Sequence, residues 1–388
     1  MQNLIAKQLV IKAGLALIDS GLIARTWGNV SCRMDQDTFA ITPSGRTYET
    51  LTMEEIVVCR TEDCSYDGEI KPSSEKRLHA LIYQTFPEMN FVIHTHQKYA
   101  SVISAMALSE MPSEGYDRLG SRVPIAAYGL PGTKKLKQGV EAALKGNQGH
   151  AVIMAHHGAL CYGTNYEETF FAARQLEEAC EKFLKENYLE KSGEKEYDAN
   201  RRYEFYLTKA SGKPLRIAEE VPSYYSSYRT TEGFVLEDKE EKTYRFTDPM
   251  PKEALIHSRI YQTRNDINYI TQDKDPALVA LSMAGGSLKP YLDDFAQIVG
   301  VNARCSKDDS SKACIKALKG RLGVLLQGAG AICCAGSKSD LQAVRIVMEK
   351  NAHTKIGAEL YQGAKTLSRP ECLLMHLVYQ KSYSKKSK

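Results

Sequence analysis

The chain has 388 residues, 43% apolar and 25% charged, a globular profile with room for two or three domains. Its formal net charge is only +4, which excludes the strong basic bias of a nucleic-acid binder. No apolar run approaches the ~18 residues of a membrane span, and the ten scattered cysteines contain no CxxC pair, so reduced thiols of a cytoplasmic protein are expected.

The N-terminal MQNLIAKQLVIKAGLALIDSGL lacks a continuous apolar core and reads as an amphipathic first helix, not a signal peptide. ARTWGNVSCRM and DTFAITPSG are strand-like, and each adjoins a loop rich in small polar residues, Thr26–Ser31 and Thr42–Tyr48. Gly28, Asn29, Ser44 and Gly45 in these loops could line a phosphate with amide donors. EEIVVCR predicts another strand. KPSSEKRLHALIYQTF then predicts a helix over 74–86, stopped by Pro87. Pro72 suits its start, Ser73 or Ser74 its N-cap, and Leu78, Leu81, Ile82 and Phe86 its buried stripe. Free N–H groups and two hydroxyls at a helix start make an anion site. Glu75, taken alone, would be a dipole-compensating carboxylate.

NFVIHTHQ predicts a strand from its apolar, β-branched run. Residues two apart on a strand share a face, so His94 and His96 project together. They supply two of the three protein ligands of a catalytic zinc site, although such a pair also occurs at ordinary strand ends. Further on, AVIM leads into His156–His157–Gly158. Only one of two adjacent histidines can share the metal-facing side, and His157, beside the glycine, is the expected third ligand. The long helix over 166–187 closes this half, which reads as a mixed α/β domain.

A shift of 178 places Glu75, His79, Ile82, Tyr83, Gln84, Thr85 and Asn90 on Glu253, His257, Ile260, Tyr261, Gln262, Thr263 and Asn268. A shift of 172 places AVIMAHHGALC on GVLLQGAGAIC. Two matches in the same order predict a tandem duplication. The charged SGEKEYDANRR and EDKEEKTYRFTDPMP between the halves read as linker or loop. Expected domains are residues 1–195 and 210–388. In the second, His94, His96 and His157 become Gln272, Lys274 and Ala329, while Ser73 and Ser74 become Pro251 and Lys252. That copy is therefore expected to lack metal and anion sites, and Glu253 alone proves little. KSYSKKSK reads as a basic tail without an assigned role.

TWGNVSCR, ITPSGRTYETL, KPSSE followed by His79, VIHTHQ, VPIAAYG and AHHGAL, in that order, resemble the class II aldolase/adducin-type family over about residues 1–190. The resemblance implies two tandem three-layer α/β/α domains with mainly antiparallel sheets, the second degenerate. It implies a zinc-dependent lyase that reversibly cleaves a ketose 1-phosphate, such as L-fuculose 1-phosphate, to dihydroxyacetone phosphate and a short aldehyde. It also implies zinc on His94, His96 and His157, one ion per chain, with Glu75 as a mobile ligand and acid/base. Gly28, Asn29, Ser44, Gly45, Ser73 and Ser74 resemble the phosphate-binding set. Tyr116 resembles a tyrosine that reaches a neighbour's site and protonates the aldehyde oxygen. Family members form four-fold rings, so a homodimer making a pseudo-four-fold ring of domains is expected. Tyr291 could then serve the live site, or be a buried aromatic satisfied locally. The glutamate favours aldolase over a pentulose-phosphate 4-epimerase. A methylthioribulose-phosphate dehydratase or a non-catalytic adducin-like module stays as an alternative, although a binding module has no need of three histidines.

Overall fold

The computed structural model describes residues 2–20, 22–23, 27–212, 226–238, 242–244, 250, 252–361 and 363–382. Pro251 and most of the basic tail lie outside the described residues. The chain divides into two compact units, one built mainly from Met1–Asn187 and the other from Tyr188–Leu360 with Thr366–Ser382. In the first lie α1 (Gln2–Asp19), β1 (Asn29–Arg33), β2 (Thr38–Ile41), β3 (Val57–Arg60), α2 (Lys76–Thr85), β4 (Phe91–Thr95) and α3 (Lys98–Ser104). They are followed by β5 (Glu110–Pro112), β6 (Arg122–Ala126), α4 (Lys134–Leu144), β7 (Ala151–Met154), β8 (Ala159–Gly163) and α5 (Tyr166–Ser192).

The eight strands form one sheet in the order β3-β2-β1-β4-β8-β7-β6-β5, antiparallel throughout except for β6 beside β7. The apolar stripe of α2 explains how it docks. Leu78, Leu81, Ile82 and Tyr83 pack with Leu136, Val140 and Leu144 of α4 against Val92, Met154, Leu160 and Tyr162 of the sheet. Because strand residues alternate between faces, His94 shares the α2-facing side with Val92. Helix α1 packs on β1 and β2 through Ala6, Val10, Ala13 and Leu17. It is more apolar than an amphipathic surface helix requires, since Leu4 and Ile5 are about half exposed, at 53% and 50%.

The second unit contains α6 (Ala199–Ser211), β9 (Ser226–Thr230), β10 (Gly233–Glu237), β11 (Thr243–Tyr244), α7 (Lys252–Thr263), β12 (Tyr269–Asp273), α8 (Pro276–Ala284) and α9 (Asp293–Ile298). It continues with β13 (Arg304–Cys305), α10 (Ser311–Leu318), β14 (Gly323–Leu325), β15 (Ala331–Ala335), α11 (Lys338–Tyr361) and α12 (Arg369–Ser382). Its sheet runs β11-β10-β9-β12-β15-β14-β13, the order of the first sheet, with the place of β5 reduced among the described residues to a single antiparallel bridge from Leu288 to Ala303.

The registers reproduce both sequence shifts. Phe91 faces Gly163 and His94 faces Leu160 in the first sheet, and Tyr269 faces Ala335 and Gln272 faces Ile332 in the second. Side-chain bonds repeat as well. Arg33 donates to the Tyr83 and Met89 carbonyls, as Arg229 does to those of Tyr261 and Ile267. These paired geometries are those of a duplicated fold.

Several expected boundaries move. The helix expected from residue 74 starts at Lys76, because Pro72 is held in a bridge to Pro43 and Glu75 takes the N-cap position. The SGEKEYDANRR stretch is not all linker: Asp198 caps α6 by accepting from Arg201 N, and α6 packs on α8. The compact units accordingly part within α5, at Asn187, and not after it. All ten cysteines are free thiols. No helix among the described residues is long and apolar enough to cross a membrane.

Candidate active site

Three segments of the first unit converge on one point. The first is the end of β4. His94 is buried, His96 follows the strand on the same side, and their ring centroids lie 4.7 Å apart. The second is the turn from β7 to β8, which brings His157 to 4.7 Å from His94 and 5.1 Å from His96. Adjacent His156 turns elsewhere: its backbone is left-handed (φ 61°), its N–H donates to Ser104 O, and its ring meets Tyr128 edge-on. Gly158 makes this turn possible, because a Cβ there would lie 2.2 Å from Thr95 O and 3.1 Å from His94 Nε2. The third is the start of α2, where the Glu75 carboxylate reaches His94 Nδ1 and, at 2.9 Å, His157 Nε2.

The donor set fits a divalent transition metal. One nitrogen from each of His94, His96 and His157 can be chosen so that all three lie within 4.8 Å of one another. His94 Nε2 is buried and has no hydrogen-bond partner among the described residues. Three imidazoles with a carboxylate at hand are a nitrogen–oxygen set suited to zinc. Burial raises the Glu75 carboxyl, but the imidazoles of His94 and His157 outweigh burial and hold it well below the usual carboxylate range.

Asn29, on β1 opposite His94, donates its Nδ2 to Glu75 Oε2 at 2.9 Å. Its side chain therefore serves the carboxylate, which leaves only its backbone for the anion role expected from the sequence. Gly28 has φ 123° and packs tightly, since a Cβ there would lie 2.6 Å from His94 O. The two remaining loops run side by side: Ser44 N donates to Lys71 O, and Ser73 N donates to Thr42 O. Ser73 is buried and accepts from Glu75 N, whereas Ser74 and Gly45 are exposed and Ser44 is half-buried. Asn29 and Ser73 are thus hydrogen-bonded to Glu75 and Gly28 packs on His94 O, whereas Ser44, Gly45 and Ser74 stand on the paired loops with no described bond to the histidines.

Tyr116 is placed differently. It lies in the turn between β5 and β6, its charged neighbours are Glu178, Glu181 and Glu186 of α5, and burial with these carboxylates raises its hydroxyl pKa. No hydrogen bond described within the unit joins it to the histidines.

In the second unit the turn survives without the imidazoles. Gly330 approaches Asp273 O as Gly158 approaches Thr95 O. Gln272, in the place of His94, donates to Ala329 O at 3.0 Å. Lys274, in the place of His96, is buried. The Glu253 side chain lies outside the described residues. Tyr291 is buried and donates its hydroxyl to Glu359 at 2.5 Å, the local satisfaction of a core aromatic.

His79, Ser31 and Tyr83, to which the residue pattern assigns no role at the site, stand behind Asn29. His79 is fully buried, with Nε2 2.5 Å from Asn29 Oδ1 and Nδ1 2.6 Å from Ser31 Oγ. Its recurrence as His257 inside an apolar run is the available signal.

The family model for the "Class II Aldolase and Adducin N-terminal domain" matches the chain twice, over residues 8–184 and 206–356. A 5-deoxy-D-ribulose 1-phosphate aldolase of Bacillus thuringiensis is 33% identical over 44% of this chain and 80% of its own. An L-fuculose phosphate aldolase of Escherichia coli is 34% identical over 47% and 84%. A 3-oxo-tetronate 4-phosphate decarboxylase of Haemophilus influenzae is 26% identical over 47% and 89%. With both units matched, the chain belongs to the class II aldolase and adducin N-terminal domain family, twice over.

Proposed function

We propose that the chain is a zinc-dependent class II aldolase, a lyase that reversibly cleaves a ketose 1-phosphate of the L-fuculose 1-phosphate type to dihydroxyacetone phosphate and a short aldehyde. The observation that carries this reading is the cluster of His94, His96 and His157, two of which, His94 and His157, bond the Glu75 carboxylate. The sugar-phosphate aldolases among its relatives agree with it.

In this reading His94, His96 and His157 hold the metal in the first unit alone, and the ion supplies Lewis-acid polarisation of the substrate carbonyl. Glu75 moves the proton at the carbon that becomes nucleophilic, as general acid/base. Ser73 and Ser74 at the start of α2, with the 28–29 and 44–45 loops, hold the phosphate through hydroxyls and backbone N–H groups. Tyr116 delivers a proton to the aldehyde oxygen in a neighbouring subunit's site.

Residues 1–195 form the catalytic domain, and residues 210–388 form a metal-free repeat that supports a homodimeric ring of four domains. Ten free thiols suit a cytoplasmic enzyme. The experiment is a cleavage screen of the zinc-loaded protein over ketose 1-phosphates. Release of dihydroxyacetone phosphate supports the reading; release of carbon dioxide, or no turnover of any ketose phosphate, counts against it.

A further inference from the structure

We propose that His79 is a positioning residue for Glu75, acting through Asn29, and that the second unit keeps the structural half of this network while lacking the half that serves chemistry. The inference rests on the assignment of Glu75 to the active site and goes beyond it, because His79 touches neither the three histidines' common point nor the carboxylate.

Hydrogen-bond direction carries the argument. An ionised carboxylate only accepts, so the Asn29 group 2.9 Å from Glu75 Oε2 must be the Nδ2 donor. That leaves Asn29 Oδ1 facing His79 Nε2, which must therefore carry the ring proton. Burial pushes the His79 pKa down to about 3, so the ring is neutral and its Nδ1 is an acceptor. Ser31 then donates to Nδ1, and the Tyr83 hydroxyl, 2.6 Å from Ser31 Oγ, donates to Ser31. The chain runs one way, from Tyr83 through Ser31, His79 and Asn29 to Glu75. Remove the His79 N–H and Asn29 Oδ1 loses its buried donor, so the amide is held toward the carboxylate from one end only. Outer hydrogen bonds of this kind set the orientation of metal-site ligands.

The second unit supplies an internal control. Ser227 Oγ lies 2.8 Å from both His257 Nδ1 and the Tyr261 hydroxyl, so the same three-residue framework is present. His257 is equally buried and its pKa is likewise pushed down to about 3 by burial. Its Nε2, however, has no hydrogen-bond partner among the described residues. A framework kept in both units is a packing device. Its extension to a carboxylate beside three imidazoles is found in the first unit.

The test compares His79→Asn, His79→Gln and His257→Asn in the full chain, reading zinc affinity by competition with a chromophoric chelator, turnover, and thermal midpoint. Asn can keep the Ser31 bond and loses the N–H toward Asn29, whereas Gln can restore that N–H. His79→Asn should lose about 10–100-fold in zinc affinity and in kcat, with KM little changed. His79→Gln should recover most of both. His257→Asn should also lower the thermal midpoint, though less than His79→Asn because its Nε2 has no bond to lose, with zinc affinity and kcat as in the parent. Equal zinc affinities for the two Asn variants, or Gln as damaging as Asn, would overturn the proposal. If His79→Asn does not fold, Ser31→Ala against Ser227→Ala reads the same network from the other side: only Ser31→Ala should weaken zinc, and identical affinities overturn the idea. A parent protein that cleaves no ketose phosphate, with zinc still weakened by His79→Asn alone, sinks the aldolase reading and leaves the network standing.

Discussion

Replacing Glu75 by glutamine separates chemistry from folding more sharply than any other change in this chain. The carboxylate is buried, and its two oxygens meet Asn29 Nδ2 at 2.9 Å, His157 Nε2 at 2.9 Å and His94 Nδ1. Glutamine has the same shape, so no cavity forms. One acceptor becomes a donor facing a donor, which costs about 1–3 kcal/mol, and removing a buried charge offsets part of that. The net change in stability should therefore stay below about 2 kcal/mol. The loss of the acid/base should be larger, about 10²–10⁴ in kcat, or roughly 3–5 kcal/mol in the barrier. The assay follows release of dihydroxyacetone phosphate from the preferred ketose 1-phosphate, beside a thermal melt of each protein. A Glu75→Gln variant that retains kcat within a few-fold of the parent would refute the role given to the carboxylate. So would a kcat loss that merely tracks unfolding.

Ser73→Ala should chiefly raise KM, because Ser73 sits buried beside the phosphate-type helix start; initial-rate kinetics showing a loss of kcat alone would contradict that assignment. Gly158→Ala and Gly330→Ala should both destabilise by about 1–3 kcal/mol, since each Cβ meets a backbone oxygen at close range, 2.2 Å and 2.1 Å; only Gly158→Ala should also weaken zinc, as chelator competition would read. Acid should destabilise both units through His79 and His257, whose pKa values burial lowers to about 3. Below the ordinary value near 6.5 the unfolded chain takes a proton that the folded chain refuses. Stability is therefore complete above about pH 6.5 and falls toward pH 3, by up to about 1.4 kcal/mol per pH unit for each histidine. Urea titrations at pH 7 and 5 should show a shallower decline in His257→Asn, and identical declines would refute the assignment. Tyr291→Phe should leave kcat unchanged and cost about 1 kcal/mol in stability, through loss of the hydroxyl bond to Glu359.

Much of this arrangement is legible in the residues because it is written in short-range pattern. Two histidines two apart on a strand must share a face, and the structure puts their rings 4.7 Å apart. The choice of His157 over His156 follows from the glycine beside it, which lets the turn close against Thr95 O, and the duplication follows from identities at fixed shifts that the strand registers reproduce. Less visible are the features set by contacts distant in sequence. Asn29 reads as a loop amide for phosphate, yet its side chain is claimed by Glu75 and His79, which lie 46 and 50 residues away. His79 reads as a helix residue in an apolar stripe, and nothing local marks it as the one that orients Asn29. The start of α2 differs by two residues because Pro72 is held by a cross-loop bridge to Pro43, a tertiary contact that overrides the usual helix-start preference. The end of the first unit is hidden because α5 runs unbroken through it.

The central claim is that one unit holds a metal and its copy does not. Elemental analysis of the zinc-replete chain, repeated on His157→Ala, tests it most directly. The account predicts about one zinc per chain in the parent and its loss in His157→Ala; two ions per chain, none, or a full complement retained without His157 would contradict it.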